Sequence, residues 1–171
     1  MATFGYTGSG TGWMDLTDEI VGTPFTLTEA GSVTSMSVNL QNILENDIEF
    51  KCAIYAWVKD EMNDLMGQTQ TGLCSWTGTW TVNFASPLAL PAGDYVLVAW
   101  GIGTSGALSI AQHTESGFYR CYTSLTYAAN FPDPNGFAYQ ADRECSIYAT
   151  YTPSGAAAVP LGTLPMMGMG R

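Results

Sequence analysis

Catalysis by side chains needs a nucleophile, a base or a metal held together, and this sequence supplies few parts for it. His113 is the only histidine. A Ser or Cys nucleophile with His113 and an acid is arithmetically available, but no G-x-S-x-G elbow or comparable motif accompanies it. One histidine at the end of an alternating run reads as structural. The fifteen Asp and Glu residues allow many carboxylate pairs for glycoside hydrolysis, yet most sit in turn-like stretches and no pair stands out. Two acid groups, Asp15–Asp18–Glu19 and Asp60–Glu61–Asp64, are the places to look for calcium, which takes six to eight oxygen ligands. Neither has the EF-hand order with its central glycine. A structural calcium stays open, but no metal ligand, cofactor or catalytic residue is assigned. The glycines of GYTGSGTGW lack the following lysine and the strand–helix setting of a phosphate loop.

Cys52, Cys74, Cys121 and Cys145 form no CxxC pair and have no zinc-type spacing. Cys52 and Cys145 fall on the apolar phase of alternating runs, which suits buried free thiols. A Cys74–Cys121 disulfide is the pairing to consider if the protein works in an oxidising compartment.

Binding has more to draw on than catalysis. Trp13, Trp57, Trp76 and Trp80, with Tyr6, Tyr55, Tyr119, Tyr122 and Tyr139, are many aromatics for 171 residues. Exposed Trp and Tyr rings stack on sugar faces and anchor protein interfaces. Trp57 and Trp76 are the candidate ligand-binding aromatics. Trp57 lies on the phase opposite to an apolar stripe, and Trp76 lies in the turn-like SWTGTW. The alternative for the Trp57 phase is a second layer or a packed loop, and that reading is preferred.

The last stretch, Thr152 to Arg171 (TPSGAAAVPLGTLPMMGMGR), carries one charged side chain, Arg171. It is short and broken by Pro153, Pro160 and Pro165, so it is no membrane span. It is too apolar for an ordinary linker. Val159, Leu161, Leu164, Met166, Met167 and Met169 are therefore expected to bind a partner, with the unbranched methionines able to fill irregular grooves.

The elements that must position these residues are strands. Met36, Val38 and Leu40 alternate with polar neighbours within Gly31–Asn42. Ile48, Phe50, Cys52, Ile54 and Ala56 oppose Glu49, Lys51, Ala53, Tyr55 and Trp57 within Asp47–Val58, and period two over so many positions indicates a half-buried strand. DYVLVAWG, Asp94–Gly101, is apolar on both phases, the mark of a strand covered on both sides. Further strands are expected over Ile20–Thr28, Leu65–Cys74, Thr79–Phe84, Ala107–His113, Phe118–Thr123 and Glu144–Tyr151. Asp60–Asp64 and Pro87–Gly93 are read as connectors, and Ala128–Ala141 as a long irregular loop. With no helical stripe, the fold expected is all-β: a single antiparallel β-sandwich of nine or ten strands, jelly-roll-like, over residues 1–151, followed by the docking tail 152–171.

Charged residues make up 12 % of the chain, and the net charge is −10. No basic patch is present to release counterions from phosphate, so a nucleic-acid partner is not expected. No apolar window is long enough to span a membrane. The amino-terminal MATFGYTGSG has neither a basic nor an apolar signal region, so synthesis in a host cytoplasm without a signal peptide is expected.

The succession FGYTGSG, VGTPFTL, GSVTSMSV, AIYAW, DYVLVAWG, FPDPNGFAY and SIYATY resembles small β-sandwich domains of bacteriophage and other viral structural proteins, and of microbial surface proteins. The likeness covers Thr3 to Tyr151, and its most specific pieces are the Phe131–Tyr139 loop and the strand Ser146–Tyr151. It implies a non-enzymatic structural protein of a virion, a decoration or capsid-associated protein fixed through its tail to a capsid or other assembly protein, or to copies of itself. The alternative is a carbohydrate-binding or adhesin module that meets a surface glycan.

Overall fold

The computed structural model describes residues 1–44, 47–103, 106–132 and 137–155. Among them there is no helix, hence none long and apolar enough to cross a membrane. Fourteen strands run in chain order: β1 (Ala2–Gly5), β2 (Gly12–Asp15), β3 (Glu19–Leu27), β4 (Gly31–Asn42), β5 (Ile48–Val58), β6 (Glu61–Gln68) and β7 (Gly72–Cys74). They continue as β8 (Gly78–Leu90), β9 (Gly93–Gly101), β10 (Leu108–His113), β11 (Tyr119–Ser124), β12 (Ala138–Ala141), β13 (Glu144–Cys145) and β14 (Ile147–Pro153).

They build two seven-stranded antiparallel sheets. In the first, β14 lies between β1 and β4, and β4 also pairs with β8 and β10, while β2 and β13 pair with β10. The second runs β12–β11–β3–β9–β5–β6, with β7 also on β5. Four pairings nest inside one another: β5 with β6, β4 with β8, β3 with β9, and β1 with β14. The chain therefore resembles one long hairpin wound into two facing sheets, with β10–β13 inserted before its last strand.

Between the sheets lies the main core, which includes Leu27, Met36, Val38, Leu40, Phe50, Ile54, Leu97 and Ile147. A second apolar cluster, Ile20, Ala53, Tyr55, Val96, Val98, Trp100, Cys121 and Phe131, covers the outer face of the second sheet. β9 thus serves both, with Leu97 and Ala99 inward and Val96, Val98 and Trp100 outward, as its two apolar phases require.

The strand count differs from the nine or ten expected. β1 and β2 occupy the glycine-rich lead-in, whose own composition is weak for strands but which gains ladder partners in β14 and β10. The turn in the Asp60–Asp64 stretch contracts to Lys59 and Asp60, both with positive φ, because Val58 pairs directly with Glu61. The Pro87–Gly93 connector is also shorter than expected: β8 continues to Leu90 after a register shift opposite Val33–Ser35. The Leu65–Cys74 strand is split, β6 pairing with one half of β5 and β7 with the other.

Candidate binding site

The outward phase of β5 is divided in two. Lys51, Ala53 and Tyr55 are buried under the chain that follows β11. Lys51 Nζ sits over three rings, 4.7 Å from the centres of Trp100 and Tyr127 and 5.1 Å from Phe131, and donates to the Ala128 carbonyl. Tyr55 donates to the Pro132 carbonyl at 2.8 Å, and Trp100 Nε1 to the Leu125 carbonyl at 3.1 Å. Residues 125–132 therefore form a packed third layer at this end. Burial pushes the Lys51 amine below its ordinary value, since its surroundings offer ring faces and a carbonyl rather than water.

Further along the same strand the cover thins: Trp57 is half-buried, packs against the margin of this cluster and lines two adjoining clefts. One, of about 330 Å³, is bordered by Pro24, Phe25 and Thr26 of β3, Asp94 of β9, and Phe118 and Tyr119. The other, of about 230 Å³, is lined by Trp57, Asp60, Tyr119 and Tyr139. Sheet curvature makes this second cleft. β12 is the edge strand, yet Tyr139 reaches back across the outer face, where its hydroxyl accepts the Met62 N–H at 3.2 Å. Its ring meets Trp57 nearly edge to face, with centres 5.7 Å apart. Tyr119 and Tyr139 are nonetheless 47 % and 42 % exposed. Asp60 is held at the cleft by the two-residue turn, and Asp94 accepts the Thr26 hydroxyl at 2.6 Å. Among the described residues, the lining includes no Lys, Arg or His.

Trp76, the other aromatic expected to bind, is elsewhere. It packs on Trp80, with ring centres 4.4 Å apart, and its carbonyl accepts the Trp80 indole N–H at 2.9 Å. At 64 % exposure it belongs to an apolar end of the sandwich, together with Ile43, Leu44, Leu73 and Ile102. Short links bring these residues to one end: Glu49 pairs with Leu73, the Glu49 carbonyl accepts the Ile102 N–H, and Asn42 Nδ2 donates to the Cys74 carbonyl. Trp57 and Trp76 therefore lie at opposite ends of the fold and do not form one platform. The six tail residues expected to bind a partner, Val159, Leu161, Leu164, Met166, Met167 and Met169, lie outside the described residues.

The acid groups do not converge. Asp15 accepts the backbone N–H groups of Thr17 and Gly106, and Asp18 accepts that of Tyr127. Among the described residues, no three His, Cys, Asp or Glu side chains form a metal-holding group. His113 stacks on Tyr6 and approaches Glu115 at 3.3 Å through Nε2. The Cys74–Cys121 disulfide does not form. Strands β5, β9 and β3 separate the two residues, a path of roughly 19 Å at the usual strand spacing, and all four cysteines are free and buried.

Trp57 can be singled out from its phase alone. Tyr119, Tyr139, Asp60 and Asp94 cannot be named as its neighbours in that way, because they come from four other segments brought together only by the folded sheet. No protein-family profile matches this chain, and no curated protein matches it.

Proposed function

We propose that this chain is a non-enzymatic jelly-roll module that works by assembly, as a decoration or capsid-associated protein of a virion. The observation that carries the reading is the apolar end formed by Ile43, Leu44, Leu73, Trp76 and Ile102. Five large apolar side chains gathered at one end, each at least 40 % exposed, form the kind of surface that a protein partner covers. The nested pairing of the strands supports the jelly-roll topology, which is found in viral capsid and lectin domains. Fold alone does not carry function, so the weight rests on the surface. β14 ends beside Gly31, at the end of the sandwich away from Trp76. In this reading residues 156–171 and the apolar end supply two separate attachments.

The test is immunogold electron microscopy of particles purified from the source of the chain. Label on intact particles, lost in a Leu73→Glu/Trp76→Glu variant that still folds, supports the proposal. A chain found only free or on a cell envelope rejects it. The second reading, a surface-displayed carbohydrate-binding module, is favoured by the clefts at Trp57, where aromatic faces and carboxylate acceptors adjoin.

A further inference from the structure

We infer that the smaller cleft, walled by Trp57, Tyr119 and Tyr139 with Asp60 beside them, is a site for a small quaternary or methylated ammonium group. The same sheet face carries another aromatic cluster, around Lys51. There Trp100, Tyr127 and Phe131 surround the Lys51 ammonium at 4.7–5.1 Å, a cage occupied by the protein's own cation. The Trp57 cleft repeats the pattern without an internal cation: three aromatic rings and, among the described residues, no Lys, Arg or His in the lining. Ring faces carry negative quadrupole potential, and several rings around a cation are the usual means of holding a methylated ammonium, which offers few hydrogen bonds and sheds water readily.

Two further features suit this ligand. Asp60 supplies a carboxylate at the cleft, fixed by the Lys59–Asp60 turn with φ of 53° and 62°. The Tyr139 ring is fixed as well, because its hydroxyl accepts from Met62 N–H, so part of the cage is set before a ligand arrives. The chain's net charge of −10 adds a long-range attraction for a cation. A neutral sugar would use the same rings for stacking but would gain little from the charge of Asp60. This inference is independent of the assembly reading and competes with neutral-sugar binding for Trp57.

The experiment titrates the full chain with choline, with its neutral isostere 3,3-dimethyl-1-butanol and with cellobiose, read by tryptophan fluorescence and calorimetry. Choline is expected to bind about tenfold or more tightly than the isostere, a margin in the range of a desolvated cation–aromatic contact. Trp57→Ala should abolish choline binding, and Trp76→Ala should leave it unchanged. Asp60→Asn is the deciding variant, because asparagine tolerates the left-handed backbone of the turn and the fold is kept. It should weaken choline several-fold. Equal binding of choline and the isostere, cellobiose binding in place of choline, no choline binding at all, or full choline affinity in a folded Asp60→Asn/Trp57→Ala protein would each overturn the assignment.

Discussion

Lys51 Nζ lies 4.7 Å from the centre of the Trp100 ring, on the outer side of a strand whose inner side carries Phe50 and Cys52. The Lys51 side chain reaches out of the sheet to the loop that crosses it, and its only hydrogen-bond acceptor in the described structure is the Ala128 carbonyl. It ties that loop down by charge and rings rather than by an ion pair.

Lys51→Met keeps the apolar stem and removes the cation. The loop at residues 126–132 should then open more often, and hydrogen exchange at its amides should speed up by about tenfold, the scale of a lost hydrogen bond to a charged group. The pH dependence has a definite sign. Burial holds the folded-state amine below its ordinary 10.5, so the unfolded chain binds more protons between the two values. The parent should therefore gain stability relative to Lys51→Met as pH rises towards 10.5. Thermal melts of both proteins across that range check it, and a difference constant with pH would refute it.

Glu144 presents the opposite charge with the same burial problem. It is 6 % exposed, pairs with His113 across β13 and β10, and stands near Glu115. Burial first, then the Glu115 charge, raises its carboxyl above the ordinary 4.5, against a smaller opposing effect of His113. A raised carboxyl stabilises the fold when protonated and loses that contribution as pH climbs through its folded-state value. Glu144→Gln, neutral at every pH, should gain stability relative to the parent as pH rises from the acid range to 7, with the difference closing below the ordinary carboxyl range. Paired denaturant titrations at neutral and acid pH measure it.

These two residues also mark how far the sequence could be read. Period two in β5 and the double apolar phase of β9 identified the core strands, because a buried face leaves its period in the residues. The same period put Lys51 and Trp57 on one outer face. It could not tell that the first is roofed and the second only half-covered, since the roof comes from Tyr127, Ala128 and Phe131, some 75–80 positions away. β1, β2 and β12 were missed for a related reason: edge strands of four residues are too short to leave a period and are fixed by their partners rather than by their own propensity.

The cysteines yield a chemical prediction. Burial pushes the Cys74 and Cys145 thiols up to about 11, and those of Cys52 and Cys121 higher still. The thiolate is the reactive form, and all four sulfurs are shielded from solvent. A thiol reagent at pH 8 should leave the native protein unlabelled for hours and titrate four groups once guanidinium unfolds it. Melting temperature should be the same with and without reductant. Two groups in denaturant instead of four would reveal a disulfide and contradict the arrangement.

Where the domain ends can be tested by truncation. β14 does not stop at Tyr151: Thr152 and Pro153 continue its pairing with Ser32 and Gly31, and Ser154 N–H donates to the Ala30 carbonyl at 2.8 Å. A chain cut after Gly155 keeps all of these contacts and should melt within about 2 °C of the parent, less than the shift from a 1 kcal/mol change in a domain of this size. A cut after Ala149 removes Tyr151, which is 5 % exposed and packs edge to face on Phe4 with ring centres 5.9 Å apart. It also strips β1 of half its ladder, since Ala2 and Thr3 pair with Tyr151 and Thr150. Loss of a buried aromatic costs about 3–5 kcal/mol, enough with the broken ladder to unfold a marginally stable domain. Circular dichroism melts of the two truncations separate the outcomes: if the shorter chain melts like the longer one, β14 is not the strand that closes the sandwich.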